Sequence, residues 1–175
     1  MVDAVTPNRG FTLIELMVTL SVAAILMTIA VPNFQSLLAN NRMAAQANDM
    51  IASLNMARSE AVKRAANVTV CASSNSTTAT PTCTGGWAQG WIVRDAAGTP
   101  IRIQGALVGS STFSGGTDVA SSITFTSSGR TTIPAAATGV TTTLTLCPPS
   151  PATVQGRAIQ VERTGRPRVA PVACP

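Results

Sequence analysis

From Phe11 to Val31 the chain is apolar with no polar stripe, and its one charge is Glu15. A helix rises about 1.5 Å per residue, so this run spans roughly 30 Å, the thickness of a bilayer's hydrocarbon core. Because it is apolar all round, it must be surrounded by lipid or by other apolar helices. Pro32 follows, removing one helical hydrogen bond, and predicts a kink where the helix leaves the bilayer. Beyond it the pattern changes. Met43, Ala47, Met50, Leu54, Ala57 and Ala61 recur at alternating spacings of four and three, with Arg42, Gln46, Asn48, Asp49, Asn55 and Ser59 off the stripe. This second half reads as an amphipathic helix that seats a small sheet. It ends with a favourable four-apart pair, Glu60 and Arg64, and with Lys63 and Arg64 complementing the helix dipole.

At Asn67 the helical period stops. Thr, Ser, Gly, Val and Ala then recur in short alternating runs with frequent turn residues, an all-β pattern. Strands are expected over 68–71, 90–94, 101–104, 122–126, 141–147 and 158–162. Asp95-Ala96-Ala97-Gly98 reads as a hairpin connection, with Gly98 suited to positive φ. Residues 73–86, SSNSTTATPTCTGG, read as loop. Trp87 and Trp91 flank the start of a strand and are expected to pack over the helix. The predicted class is therefore α+β: a long N-terminal helix, its first half spanning a membrane, packed through its second half on a C-terminal antiparallel sheet. The expected boundaries are 1–10, 11–31, 32–65 and 66–175.

Composition narrows the chemistry. The 175 residues are 45% hydrophobic and 11% charged, consistent with one membrane-tethered domain. A net charge of +5 favours an acidic partner, either anionic lipid or nucleic acid. There is no histidine, which removes the commonest general base and metal ligand. With no Cys–His or Ser–His arrangement and no convergent carboxylate pair, no catalytic residue, cofactor, metal or small-molecule substrate is expected.

Four cysteines in an exported segment imply an oxidising compartment and two disulfides. Cys71 and Cys83 bracket the polar loop, and a bridge there would staple a segment with little apolar to hold it. Cys147 ends a strand and Cys174 is next to last, so a second bridge would pin the tail to the sheet. Closing a loop of that length stabilises by on the order of 3–4 kcal/mol in the chain-entropy model. A zinc site would need CxxC spacing or histidine, and neither is present.

The apolar run itself has three readings. A cleavable secretory signal should carry a small-residue site after the run, and Thr28-Ile29-Ala30 is a poor one. A plain anchor gives no reason for Gly10-Phe11 or for Glu15, whose burial in lipid costs roughly 2.5–3.5 kcal/mol on insertion scales. The third reading rests on Gly10-Phe11-Thr12-Leu13-Ile14-Glu15-Leu16 behind a leader carrying Arg9, which resembles the processing signature of type IV pilins and pseudopilins. The resemblance implies cleavage between Gly10 and Phe11 by a prepilin peptidase, with N-methylation of Phe11. It also implies pairing of Glu15 with the new N-terminal amine of a neighbouring subunit, where each charge offsets part of the other's desolvation. A snorkelling acid near the membrane surface is the alternative for Glu15.

A second segment, Ala57-Arg58-Ser59-Glu60-Ala61-Val62-Lys63-Arg64, resembles the one that marks the GspH/FimT branch of minor pilins and pseudopilins. That branch implies a single pass through the inner membrane with the C-terminal domain in the periplasm, and incorporation in a pilus after assembly. The implied partners are the prepilin peptidase, other major and minor pilins, and inner-membrane lipid.

The tail, residues 157–175, carries Arg157, Arg163, Arg166 and Arg168 against one acid, Glu162. A two-residue turn at Thr164-Gly165 would pair Val161 with Arg168 and aim that arginine at the core face, and Pro167 cannot donate to a ladder. The expectation is therefore an exposed, disulfide-tethered arm that leaves regular pairing at Gly165. Alternation along it aims Arg166 and Arg168 the same way, and two guanidinium forks suit phosphate oxygens. No aromatic is interleaved, so binding would be indifferent to base sequence. Gly165-Arg166-Pro167-Arg168 also resembles the GRxR motif of FimT-type minor pilins, which implies double-stranded DNA as a partner, with Arg163 and Arg157 assisting. The competing accounts are surface solubility groups or filament contacts in a purely structural priming pilin, or in a minor pseudopilin of type II secretion.

Gly10→Val is expected to block leader removal and leave the protein at its precursor mass, read by mass spectrometry. Glu15→Val is expected to mature normally yet assemble poorly. Pili containing ordinary amounts of that variant would remove the assembly role from Glu15.

Overall fold

The computed structural model describes residues 10–116, 119, 121–132, 141–150 and 154–174. All of the expected leader except Gly10 lies outside the described residues. One helix, α1, runs Leu13–Arg64, and the chain divides between Leu38 and Ala39 into two compact units.

In the first unit Thr12 caps α1: its hydroxyl accepts from the Glu15 amide at 3.3 Å and donates to Glu15 Oε2 at 3.4 Å. The threonine and the acid three residues on thus satisfy the helix start locally. The apolar side chains that follow are exposed, from Phe11 through Leu38, and α1 is long and apolar enough to cross a membrane. Pro32 lies inside α1, where it has no N–H to offer the Thr28 carbonyl.

In the second unit the stripe Met43, Ala47, Met50, Leu54, Ala57 and Ala61 is buried throughout. Two polar residues join it. Gln46, expected off the stripe, is buried and donates through Nε2 to the Val108 carbonyl at 2.8 Å. Ser53 Oγ donates to the Asp49 carbonyl and accepts from Trp91 Nε1 at 2.9 Å. Ser53 is thus paired in the core, while Gln46 is held through Nε2 and its buried Oε1 has no hydrogen-bond partner among the described residues. The helix ends in a Schellman arrangement with Ala65 at φ +49°, the Ala66 amide reaching back to the Ala61 carbonyl at 3.2 Å.

Among the described residues eight strands follow: β1 Val68–Ala72, β2 Trp91–Asp95, β3 Pro100–Gln104, β4 Thr112–Gly115, β5 Ser122–Phe125, β6 Thr141–Cys147, β7 Gly156–Glu162 and β8 Pro167–Val172. They form two antiparallel four-stranded sheets, in the orders β3-β2-β1-β5 and β4-β6-β7-β8. Both sheets face α1, and one apolar cluster holds side chains from the helix, from Val68, Val70 and Phe125, and from Leu144, Leu146, Ile159 and Val161. Trp87 and Trp91 lie in it, fully buried, each against Phe113 with ring centroids 6.2 and 5.9 Å apart.

Six strands fall where the alternation put them, within a residue or two. β4 and β8 were not foreseen. In β4 only Phe113 is strongly apolar, and Gly115 is there because a Cβ would strike the Val119 carbonyl. β2 and β3 meet at the expected hairpin, where the Ala97 and Thr99 amides donate to Asp95 Oδ1 and Gly98 takes φ +90°. Two bridges are present, Cys71–Cys83 across the 73–86 loop and Cys147–Cys174 from β6 to the tail.

Leu54→Ala, at a site with no exposed surface, is expected to cost about 2–5 kcal/mol in denaturant unfolding. Ser59→Ala, five residues on and exposed, should stay within about 0.5 kcal/mol of the parent. Similar costs for the two would mean that the stripe does not seat the sheets.

Candidate functional site

The tail is a strand, which corrects the expectation of an unpaired arm. β8 pairs with β7 through Val161↔Pro167, Gln160↔Arg168 and Ile159↔Val169. The turn has three residues, Arg163, Thr164 and Gly165. The Gly165 amide donates to the Glu162 carbonyl at 2.8 Å, the Glu162 amide donates to the Arg166 carbonyl at 3.2 Å, and Gly165 takes φ +75°. This is the three-residue hairpin closed by a left-handed glycine. The extra residue shifts the register by one from a two-residue turn, so Arg168 opposes Gln160 and leaves the face of Ile159 and Val161.

Proline is tolerated for a related reason. Glu162 and Arg166 form a hydrogen-bonded pair, so alternation turns the nitrogens of residues 167, 169 and 171 away from β7. Pro167 and Pro171 therefore sit on the open edge of the sheet, where no ladder bond is lost and further strand addition is blocked.

The hairpin brings some of the expected residues together and separates others. Arg166 and Arg168 are exposed, two residues apart on one face, about 7 Å along the strand. Arg163 is exposed at the turn, and its carbonyl accepts from the Thr131 amide at 3.1 Å, which sets Arg130 beside it. Glu162 opposes Arg166 and splits its carboxylate: Oε1 lies 3.0 Å from Arg168 Nη2, and Oε2 accepts from Thr164 Oγ1 at 3.1 Å. Arg157 is elsewhere. Six residues away along β7, about 20 Å, it donates through Nη2 to Asn40 Oδ1 at 2.8 Å.

Sequence reasoning assigned no part at the hairpin to Arg58 of α1. It lines a cleft of about 730 Å³ together with Asn55, Glu162, Thr164, Arg166 and Pro167. Gly129 and Gly165 lie against it: a Cβ on either glycine would stand 3.3 Å from Arg58 Nε, and one on Gly165 would also collide with the Gly129 carbonyl. The ARSEAVKR segment held Arg58 in view, but nothing in its spacing placed it under a turn more than a hundred residues away. Its neighbours are occupied. Arg64 Nε lies 2.6 Å from Glu60 and its Nη1 3.4 Å from Asp95, with Lys63 3.7 Å from Glu60. The Arg64 hydrogen bond, outweighing desolvation and aided by both cationic charges, holds the Glu60 carboxyl below the ordinary carboxylate range.

At the other end of the chain Gly10 stands in open space and Phe11 is exposed beside it. Glu15 lies one turn into α1 with Thr12 as its local partner. Among the described residues no three cysteine, aspartate or glutamate side chains converge as metal ligands would.

Residues 46–165 match the family model described as Type II transport protein GspH, and residues 6–31 match that of the prokaryotic N-terminal methylation motif. Two crystal forms of the Pseudomonas aeruginosa type IV minor pilin FimU share the fold, both at 22% identity. Their TM-scores are 0.56 and 0.53, covering 75% and 73% of this chain and 90% and 92% of the FimU chains. None of the curated proteins matches this chain.

Gly165→Ala is expected to destabilise by clearly more than Gly98→Ala. Both glycines have positive φ, worth about 1–2 kcal/mol when a Cβ is added, but a Cβ at Gly98 meets nothing within 4 Å. Thermal unfolding of the two variants reads the difference, and equal shifts would show that the two turns do not press together.

Proposed function

The chain belongs to the GspH family and carries the prokaryotic N-terminal methylation motif, and we propose from this that it is a minor pilin whose β7–β8 hairpin holds double-stranded DNA during uptake. In this reading a prepilin peptidase cuts between Gly10 and Phe11, and Phe11 is methylated. The apolar half of α1 resides in the inner membrane until the subunit joins other pilins, with Glu15 pairing the amine of a neighbour. The sheet-bearing unit lies in the periplasm and performs no catalysis.

The observation that carries the DNA reading is the hairpin register. It turns Arg166 and Arg168 outward on one face, with Arg163 at the turn. Guanidinium forks at this spacing donate bidentately to phosphate oxygens, and the face offers no aromatic for base stacking, so contact is with the backbone and indifferent to sequence. Arg157, bonded to Asn40, has no part in it. Glu162 opposes binding by holding Arg168.

The family description also favours a second reading, a minor pseudopilin of type II secretion. Deletion of the gene separates the two: loss of transformation with secretion intact belongs to the pilin, and the reverse to the pseudopilin.

Full-length protein in neutral detergent should bind duplex DNA weakly, in the micromolar range or above, with log affinity falling against log salt at a slope of roughly −2 to −3. Arg166→Gln with Arg168→Gln should flatten that slope by about two for all sequences alike. Arg157→Gln should leave it unchanged, and Glu162→Gln should tighten binding by freeing Arg168. No binding at low salt, or equal binding by the double variant, would return these arginines to surface or filament-contact roles.

A further inference from the structure

We propose that the cleft between α1 and the β7–β8 turn is a seat for a single phosphate group, gripped by Arg58 and Arg166 and lined by Asn55 and Thr164. The proposal rests on the DNA reading for its natural ligand, a backbone phosphodiester, but the seat is a feature of the cleft and has its own test.

Three observations converge on it. The first is charge left over. Among the described residues that line the cleft Glu162 is the one acid, and its two oxygens are taken by Arg168 and Thr164. Among the described residues neither Arg58 nor Arg166 has a carboxylate partner or a side-chain hydrogen bond. Arg58 and Arg166 thus bring two positive charges to a cleft whose carboxylate is already engaged, and an oxyanion between them would be attracted by both.

The second is preorganisation. Arg58 is half-buried and stands on a regular helix, with its Nε against the two turn glycines. Held there, it gives up less freedom on binding than a solvent-exposed arginine would. Arg166 lies on the other wall, directly after the closed turn, so its backbone is fixed by the Gly165–Glu162 and Glu162–Arg166 hydrogen bonds. The third is chemistry. The Asn55 side-chain amide adds an uncharged donor to the two guanidinium forks, so that a tetrahedral anion with several oxygens is served better than a planar carboxylate with two. At about 730 Å³ and open to solvent, the cleft admits a phosphate still joined to its chain on both sides.

The reading makes Arg58 a phosphate ligand and the deepest contact of the DNA path, while Arg168 and Arg163 touch neighbouring phosphates from the rim.

The test uses isotope-labelled full-length protein in neutral detergent. Inorganic phosphate is titrated against the Thr164, Gly165 and Gly129 amides and the Arg58 Nε–H, with acetate as the comparison. Phosphate is expected to give saturable shifts. Arg58→Gln and Arg166→Gln should each weaken it by about tenfold, as expected for loss of a charge-assisted fork. Arg58→Lys, which keeps the charge and the fold but not the fork, should fall between. In the DNA titration Arg58→Gln should lower the salt slope by about one.

Saturable phosphate binding that Arg58→Gln removes, without any binding of DNA, supports the seat and sinks the DNA reading. DNA binding with an unchanged slope in Arg58→Gln and Arg58→Lys, and no phosphate response, sinks the seat and spares the DNA reading. Acetate saturating the same amides as tightly as phosphate also overturns the assignment, and points to a carboxylate of a neighbouring subunit as the occupant.

Discussion

The contact on which the sheet-bearing unit depends is the buried stripe of α1 between Met43 and Ala61. Neither sheet has a hydrophobic layer of its own to close against. Sheet one offers Val68, Val70, Trp91, Val93 and Phe125, and sheet two offers Phe113, Leu144, Leu146, Ile159 and Val161, and all of them join one cluster with the helix stripe. Small residues at Ala47, Ala57 and Ala61 let the strands approach closely, while Met43, Met50 and Leu54 fill the space between. The Trp87–Phe113–Trp91 group spans the seam between the sheets, and Ser53 supplies the acceptor that lets the Trp91 indole be buried. The helix thereby orients β7 and, through it, the arginine-bearing hairpin.

That hairpin shows how much one residue of register can decide. A two-residue turn would drive Arg168 toward Ile159 and Val161, and the chain would have to abandon pairing to avoid burying a charge. The three-residue turn with Gly165 at positive φ moves β8 along by one, so the same alternation that condemned Arg168 places it on the solvent face. The same shift puts both prolines of β8 where a missing N–H costs nothing. Glycine, prolines and arginines of the tail are thus one consistent solution to closing and protecting a sheet edge, and the cationic face is a product of that solution.

The tail is also held at both ends. The Cys147–Cys174 bridge ties its far end to β6, and the contact of Gly165 with Gly129 and Arg58 ties its turn to the first sheet and the helix. A strand at a sheet edge would otherwise fray first, and a frayed strand would carry its arginines with it.

Local chemistry sufficed for much of this protein. The apolar run, the stripe from Met43 to Ala61, six of the strands and the Asp95–Gly98 hairpin could be read in the sequence, because each follows from periodicity or turn residues within a few positions. The family resemblance could be read there too, since the residues from Gly10 to Leu16 and from Ala57 to Arg64 are contiguous. What the tertiary structure decided is of a different kind. Gln46 and Ser53 are buried where partners 62 and 38 residues away hydrogen-bond to them. β4 is four residues long with Phe113 as its one large apolar side chain, too short to show a pattern, and it is held where Phe113 packs against both tryptophans. Arg157 and Arg166 are near in sequence yet lie at opposite ends of β7, and Arg58 and Arg166, 108 residues apart, share a cleft. A pattern of residues carries the faces of each element, but it does not carry the register between elements or the meeting of two turns. Both are set by packing, and they decide which charges converge.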